Sequence, residues 1–239
     1  MHARRTCLSV ALFVLPAVLF AQSFSPHRNP SPQRPPMAFP QTAQTIAQSN
    51  SSAITANNSV SCNAQGLHTA NGYYRAFTLS KFPILTQPHF RIQNITYGVE
   101  LANDGANAGQ PVQVNLYKSS SNPPTTASLT LLTSESTTVQ DTASGTLVSV
   151  PITAPPVLNV STDILVVEIY TPDGMINSHS FFVGSNNAGE VAPSYIKASD
   201  CGVTEITSLA AINFPGMQIV MSVTGDNGVP VGLQSFTID

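Results

Sequence analysis

From Tyr73 to Thr224, apolar and polar residues alternate in one short segment after another, with turn residues between the segments. In 111–117, Val112, Val114 and Leu116 fall on one side, and Gln113 and Asn115 on the other. In 91–101, Ile95, Tyr97, Val99 and Leu101 share a side, opposite Asn94, Thr96 and Glu100. Segment 218–224 groups Ile219, Met221 and Val223, and further strand segments are 73–79, 129–132, 136–140, 146–152 and 178–184. A period of two is the strand signal, because successive side chains of a strand point to opposite faces. Segment 163–171 differs: Leu165, Val166, Val167 and Ile169 are nearly continuous, which marks a central strand covered on both faces. Thr171-Pro172-Asp173-Gly174 reads as a turn between strands. Asn103-Asp104-Gly105, Asn122-Pro123-Pro124, Asn186-Asn187 near Gly189, and Asp226-Asn227-Gly228 mark loops. Only 205–212 reads as helix, about two turns of it. Eight or nine strands imply an all-β fold, an antiparallel β-sandwich of jelly-roll-like type. A lipocalin-type barrel is the alternative, and it would carry longer meander strands and a helix.

The N-terminus constrains the compartment. Arg4 and Arg5 precede an apolar run from Leu8 to Phe20, too short to span a bilayer, and Ala21 offers a cleavage site before Gln22. Residues 1–21 read as a secretory signal peptide. Cys7 leaves with it, so Cys62 and Cys201 remain and can pair in one way. Six prolines between Pro26 and Pro40, followed by a Gln/Ser/Thr/Asn/Ala tract, show no apolar period, so 22–57 reads as a disordered linker. The domain is expected over 58–225, with a C-terminal tail at 226–239. The expected location is secreted or extracellular, or periplasmic where export stops there, with no anchor in the mature chain.

Charge is scarce. Residues 58–239 hold Arg75, Lys81, Arg91, Lys118 and Lys197 against all twelve acids, a net of −7. Nucleic acids and anionic membranes need a basic footprint, so neither is expected as a partner.

The stretches "HTANGYYRAFTLSKF" (68–82), "VQVNLYK" (112–118), "LVVEIYTPDG" (165–174), "FFVGSNNAGEVAPSYIKASDCGV" (181–203) and "INFPGMQIVMSVTG" (212–225) resemble a β-sandwich module of bacterial secreted and surface multidomain proteins. That module is often appended to extracellular hydrolases and has no assigned chemistry. The stretch "PVGLQSFTID" (230–239) is similar to the linker that precedes sorting or anchoring modules in such proteins. The resemblance implies an appended extracellular domain.

No G-x-S-x-G is present, and His68, His89 and His179 have no recognisable catalytic setting. None of these histidines pairs with another His or Cys at zinc-ligand spacing. Calcium takes carboxylates, amides and carbonyls from loops, which Asn103, Asp104, Asp173 and Asp226 with Asn227 can offer, although Asx residues occupy turns for backbone reasons alone. No other cofactor is called for. His68, Asn71, Tyr73, Tyr74 and Arg75, with Tyr195, are candidates for a polar groove that holds sugar, against the alternative of tyrosines packed at a sheet edge. Glu168 is the unusual charge: a carboxylate in the central strand needs a donor, and Arg75 or Arg91 is expected to supply it. The expectation is a non-enzymatic binding or adhesion module for glycan or a cell-surface protein. A small secreted hydrolase and a structural spacer are the competing classes.

Overall fold

The computed structural model describes residues 42–105 and 108–227 of the 239-residue chain. The leader, linker residues 22–41 and tail residues 228–239 lie outside the described residues. Within them the chain is all-β, as the alternation predicts. Two antiparallel sheets use twelve strands: β1 (Gln44–Ala47), β2 (Asn71–Thr78), β3 (His89–Asn103), β4 (Gln110–Ser119), β5 (Leu129–Val139), β6 (Thr146–Pro151), β7 (Val157–Asn159), β8 (Ile164–Thr171), β9 (Ser180–Val183), β10 (Ser194–Ala198), β11 (Val203–Ser208) and β12 (Met221–Asp226). The first sheet runs β1-β12-β3-β9, and β6 and β7 also pair with β3. The second runs β11-β10-β2-β8-β4-β5. The chain passes from one sheet to the other repeatedly, so the two inner faces fill together.

The alternation decides what those faces hold. Val112, Val114 and Leu116 of β4, and Leu165, Val167 and Ile169 of β8, are buried between the sheets with Tyr73 and Phe77 of β2. Phe90, Ile92, Ile95, Tyr97, Val99, Phe181, Met221 and Val223 meet them from the first sheet. Strand β8 lies between β2 and β4, covered on both faces, as its apolar run predicts. Arg75 is also inward and fully buried. Its guanidinium pairs with Glu190 at 2.8 Å and donates to the carbonyls of Ile219 and Ala192, tying β2 to the connections beside the first sheet.

Cys62 and Cys201 form the expected disulfide, with Cα atoms 5.8 Å apart. It ties the segment before β2 to the turn between β10 and β11.

The two sheets hold twelve strands where eight or nine were expected, because short edge strands such as β1 and β7 carry too few apolar residues to show a period. Three further expectations change. The domain begins well before residue 58: β1 pairs residue by residue with β12, Ile46 is 1% exposed, and Gln48 Nε2 donates to the Ala76 carbonyl at 2.7 Å. Glu100 then accepts from the amides of Asn57 and Ser59, so 48–59 lies along the domain and the linker reading fails for 42–57. Residues 205–212 are not helix. β11 runs through Ser208 and only a 3-10 turn follows at Leu209–Ile212, because Val203, Thr204, Ile206 and Thr207 are β-branched and β10 offers them a partner. Leu101 is 38% exposed rather than inward. A bulge between Phe182 and Val183 shifts the register, so Ala102 takes the buried position.

Candidate functional site

The outer face of the second sheet carries the most unusual polar arrangement. Strand register sets Tyr195, Tyr74, Glu168, Asn115 and Ser134 in one row across β10, β2, β8, β4 and β5. The adjacent row is Lys197, Gly72, Tyr170, Gln113 and Ser136. Glu168 points outward because Val167 and Ile169 point inward.

The residue is 6% exposed. The Tyr74 hydroxyl donates to its Oε1 at 2.5 Å, and the Tyr117 hydroxyl and Asn115 Nδ2 donate to its Oε2 at 2.7 and 2.9 Å. Ser134 Oγ in turn donates to Asn115 Oδ1 at 2.6 Å, which fixes the amide. Burial, and then the Glu168 charge, push the Tyr74 and Tyr117 hydroxyls well above the ordinary tyrosine range, so both stay protonated and donate. A carboxylate accepts about four hydrogen bonds, so three donors leave Glu168 capacity for one more.

Gly72 makes the arrangement fit. A Cβ there would stand 2.6 Å from Glu168 Oε1 and 2.7 Å from the Tyr74 hydroxyl oxygen. Beside them opens a recess of about 220 Å³, lined by Gly72, Tyr74, Glu168, Tyr170, Lys197 and Asp200 among others. On the far side of Tyr170 a second recess of about 230 Å³ is lined by Pro111, Gln113, Ser136, Thr138 and Pro172. Lys197 lies on the rim of the first recess, with its Nζ 3.4 Å from Thr126 Oγ1.

No family model matches the chain, and no curated protein matches it. Among solved structures, it is similar to the clostridial cysteine protease Cwp84 after propeptide cleavage. That likeness has a TM-score of 0.52 at 9% identity and covers 78% of this chain and 40% of that one. A structure of the cysteine protease and lectin-like domains of Cwp84, a surface layer associated protein of Clostridium difficile, aligns with a TM-score of 0.49 at 11% identity, over 68% of this chain and 33% of the other. The chain therefore spans well under half the length of either protein. The likeness is one of fold.

Of the five residues expected to line a groove, Tyr74 alone reaches the outer face. Tyr73 and Arg75 alternate inward and are fully buried. Asn71 is fully buried and holds the backbone amide and carbonyl of Cys62 at 2.8 and 3.1 Å. His68 is fully buried, its Nδ1 and Nε2 lying 3.0 and 2.9 Å from the carbonyls of His179 and Pro172, so it braces the turn after β8. Burial lowers its pKa, opposed by those carbonyls. Tyr195 packs against Tyr74 and Val166 in a small outer-face cluster.

The residues proposed for calcium occupy separate arrangements. Asp104 accepts from the Gly109 amide, and Asn103 Oδ1 from the Gly105 amide. Asp173 Oδ1 accepts from the Met175 amide. Asp226 is paired with Arg91 at 2.7 Å and bonded to Gln93. Among the described residues no three His, Cys, Asp or Glu side chains gather as a metal-binding group.

Arg75 and Arg91 do not meet Glu168, contrary to expectation. Arg75 lies on the opposite face of β2 from Tyr74, the register partner of Glu168, and Arg91 is in the other sheet. Sequence reasoning missed Asn115, Tyr117, Tyr170 and Lys197. Their outward position was readable from alternation, but their shared rows depend on register between strands far apart in the chain.

Proposed function

We propose that this chain is a secreted, non-enzymatic binding module that holds glycan on the outer face of its second sheet. One observation carries the reading: a buried carboxylate held entirely by neutral donors lines an open recess beside tyrosine rings. A charged acceptor forms stronger hydrogen bonds to ligand hydroxyls than a neutral one. Tyrosine offers contact area with little conformational entropy to lose. The adjacent rim of Lys197, Asp200, Gln113 and Ser136 is polar, whereas the centre of a protein–protein interface is depleted of charge and rich in apolar groups. The disulfide fits an oxidising, extracellular setting.

The test is a glycan array probed with the full chain, its Glu168→Gln variant and its Tyr170→Ala variant. The chain is expected to retain neutral oligosaccharides, and each variant to lose about tenfold or more in affinity, roughly one bidentate or stacking contact. Tyr170→Ala leaves the three donors of Glu168 in place, so it separates binding from folding. Failure to retain any glycan, or retention by both variants as strong as that of the unaltered chain, overturns the reading.

A further inference from the structure

The geometry points to a flat, linear, neutral glycan chain that runs across the strands, with sugar units in both recesses and Tyr170 between them. The inference rests on the glycan reading above and adds the ligand's shape, direction and minimum length.

The row Lys197–Gly72–Tyr170–Gln113–Ser136 crosses five strands in register. Gly72 and Gln113 are two strands apart, about 10 Å at ordinary strand spacing. The first recess opens at Gly72 and the second at Gln113, and Tyr170 stands on the strand between them. A pyranose joined through equatorial 1→4 bonds advances by roughly 5 Å per unit, close to the strand spacing of about 4.8 Å. Three such units span both recesses. The β-1,4 linkage also gives a flat ribbon, which a sheet face can underlie without a deep pocket.

The lining fits hydroxyls rather than charge. Glu168 and Asp200 oppose the single Lys197 in the first recess, which disfavours an anionic chain. In the second, Gln113, Ser136 and Thr138 bring polar side chains to the lining. Pro111 and Pro172 add apolar ring surface to the same lining.

Calorimetry with the full chain tests this, using β-1,4-linked glucose oligomers of one to six units and the matching N-acetylglucosamine series. Affinity should rise about tenfold or more from one unit to three and then level off, as linked subsites require. Gln113→Ala should weaken the trimer about fivefold or more and leave the monomer unchanged, because Gln113 lies only in the second recess. Glu168→Gln should weaken both. Equal affinity for monomer and trimer, or an unaltered trimer with Gln113→Ala, overturns the two-recess track while the glycan reading stands. Array binding of a branched or α-linked glycan without binding of either oligomer series does the same. An array on which no glycan is retained overturns both.

Discussion

The Glu168 carboxylate is buried beside Tyr74, Asn115 and Tyr117, while Arg75 and Arg91 pair with Glu190 and Asp226 instead. Three neutral donors therefore do what a counter-ion was expected to do. Such donors lower the cost of desolvation without cancelling the charge, which leaves a negative potential at the recess. Tyr97 shows the opposite case. Its ring is fully buried in the core and its hydroxyl has no hydrogen-bond partner among the described residues. Burial pushes that hydroxyl's pKa upward, so it stays neutral. An unsatisfied buried hydroxyl costs about 1–3 kcal/mol, whereas the ring contributes the packing. Tyr97→Phe keeps the ring and removes the orphan oxygen. We expect its unfolding free energy to stay level or rise by up to about 2 kcal/mol in urea titration. A loss beyond about 1 kcal/mol would show that the hydroxyl has a partner in solution.

Strands were legible where their pattern is local and illegible where pairing decides. β4 and β8 stand as their side chains predict, with Val112 and Val114 inward and the Leu165–Ile169 run in the middle of a sheet. The break expected between 132 and 136 is absent: Leu129–Val139 is one strand, because β4 pairs with it along its whole length. The inward position expected of Leu101 was lost to a bulge, and a bulge is a property of two strands, not of one. β1 is the clearest miss. Gln44–Ala47 carries one large apolar residue, too little for a period, yet β12 gives it four register partners and Ile46 enters the core. If that strand belongs to the domain, Ile46→Ala should cost about 2–4 kcal/mol, the usual loss on truncating a buried isoleucine. Measured against the unaltered chain by denaturant titration, a loss below about 1 kcal/mol would mean β1 is a dispensable edge.

The same long-range logic governs the whole molecule. β1 and β12, the first and last of its sheet strands, lie side by side, so the domain closes on itself in the first sheet. The second sheet has no such closure. Its far edge is the β10–β11 hairpin, which reaches the rest of the sheet through the β10–β2 pairing. The disulfide supplies the second tie, joining Cys62 to Cys201 at the turn of that hairpin across 139 positions of sequence. Asn71 and Thr69 bond to Cys62, so the link is anchored to the start of β2 as well. A loop of this length is assigned on the order of 5 kcal/mol by the chain-entropy model, and removal of native disulfides typically costs about 2–5 kcal/mol. Lys197, Ser199 and Asp200 sit on β10 or the turn beside the disulfide and line the first recess. Replacing both cysteines with serine should therefore act twice. Melting should fall by roughly 8–13 °C for a loss of about 3–5 kcal/mol in a domain of about 180 residues. Below that melting point, glycan affinity should fall too, because the rim of the recess loses its tie to β2. An unchanged melting temperature, or two free thiols titrated in the native protein, would remove the staple. A lowered melting temperature with unaltered glycan affinity would confine its role to stability.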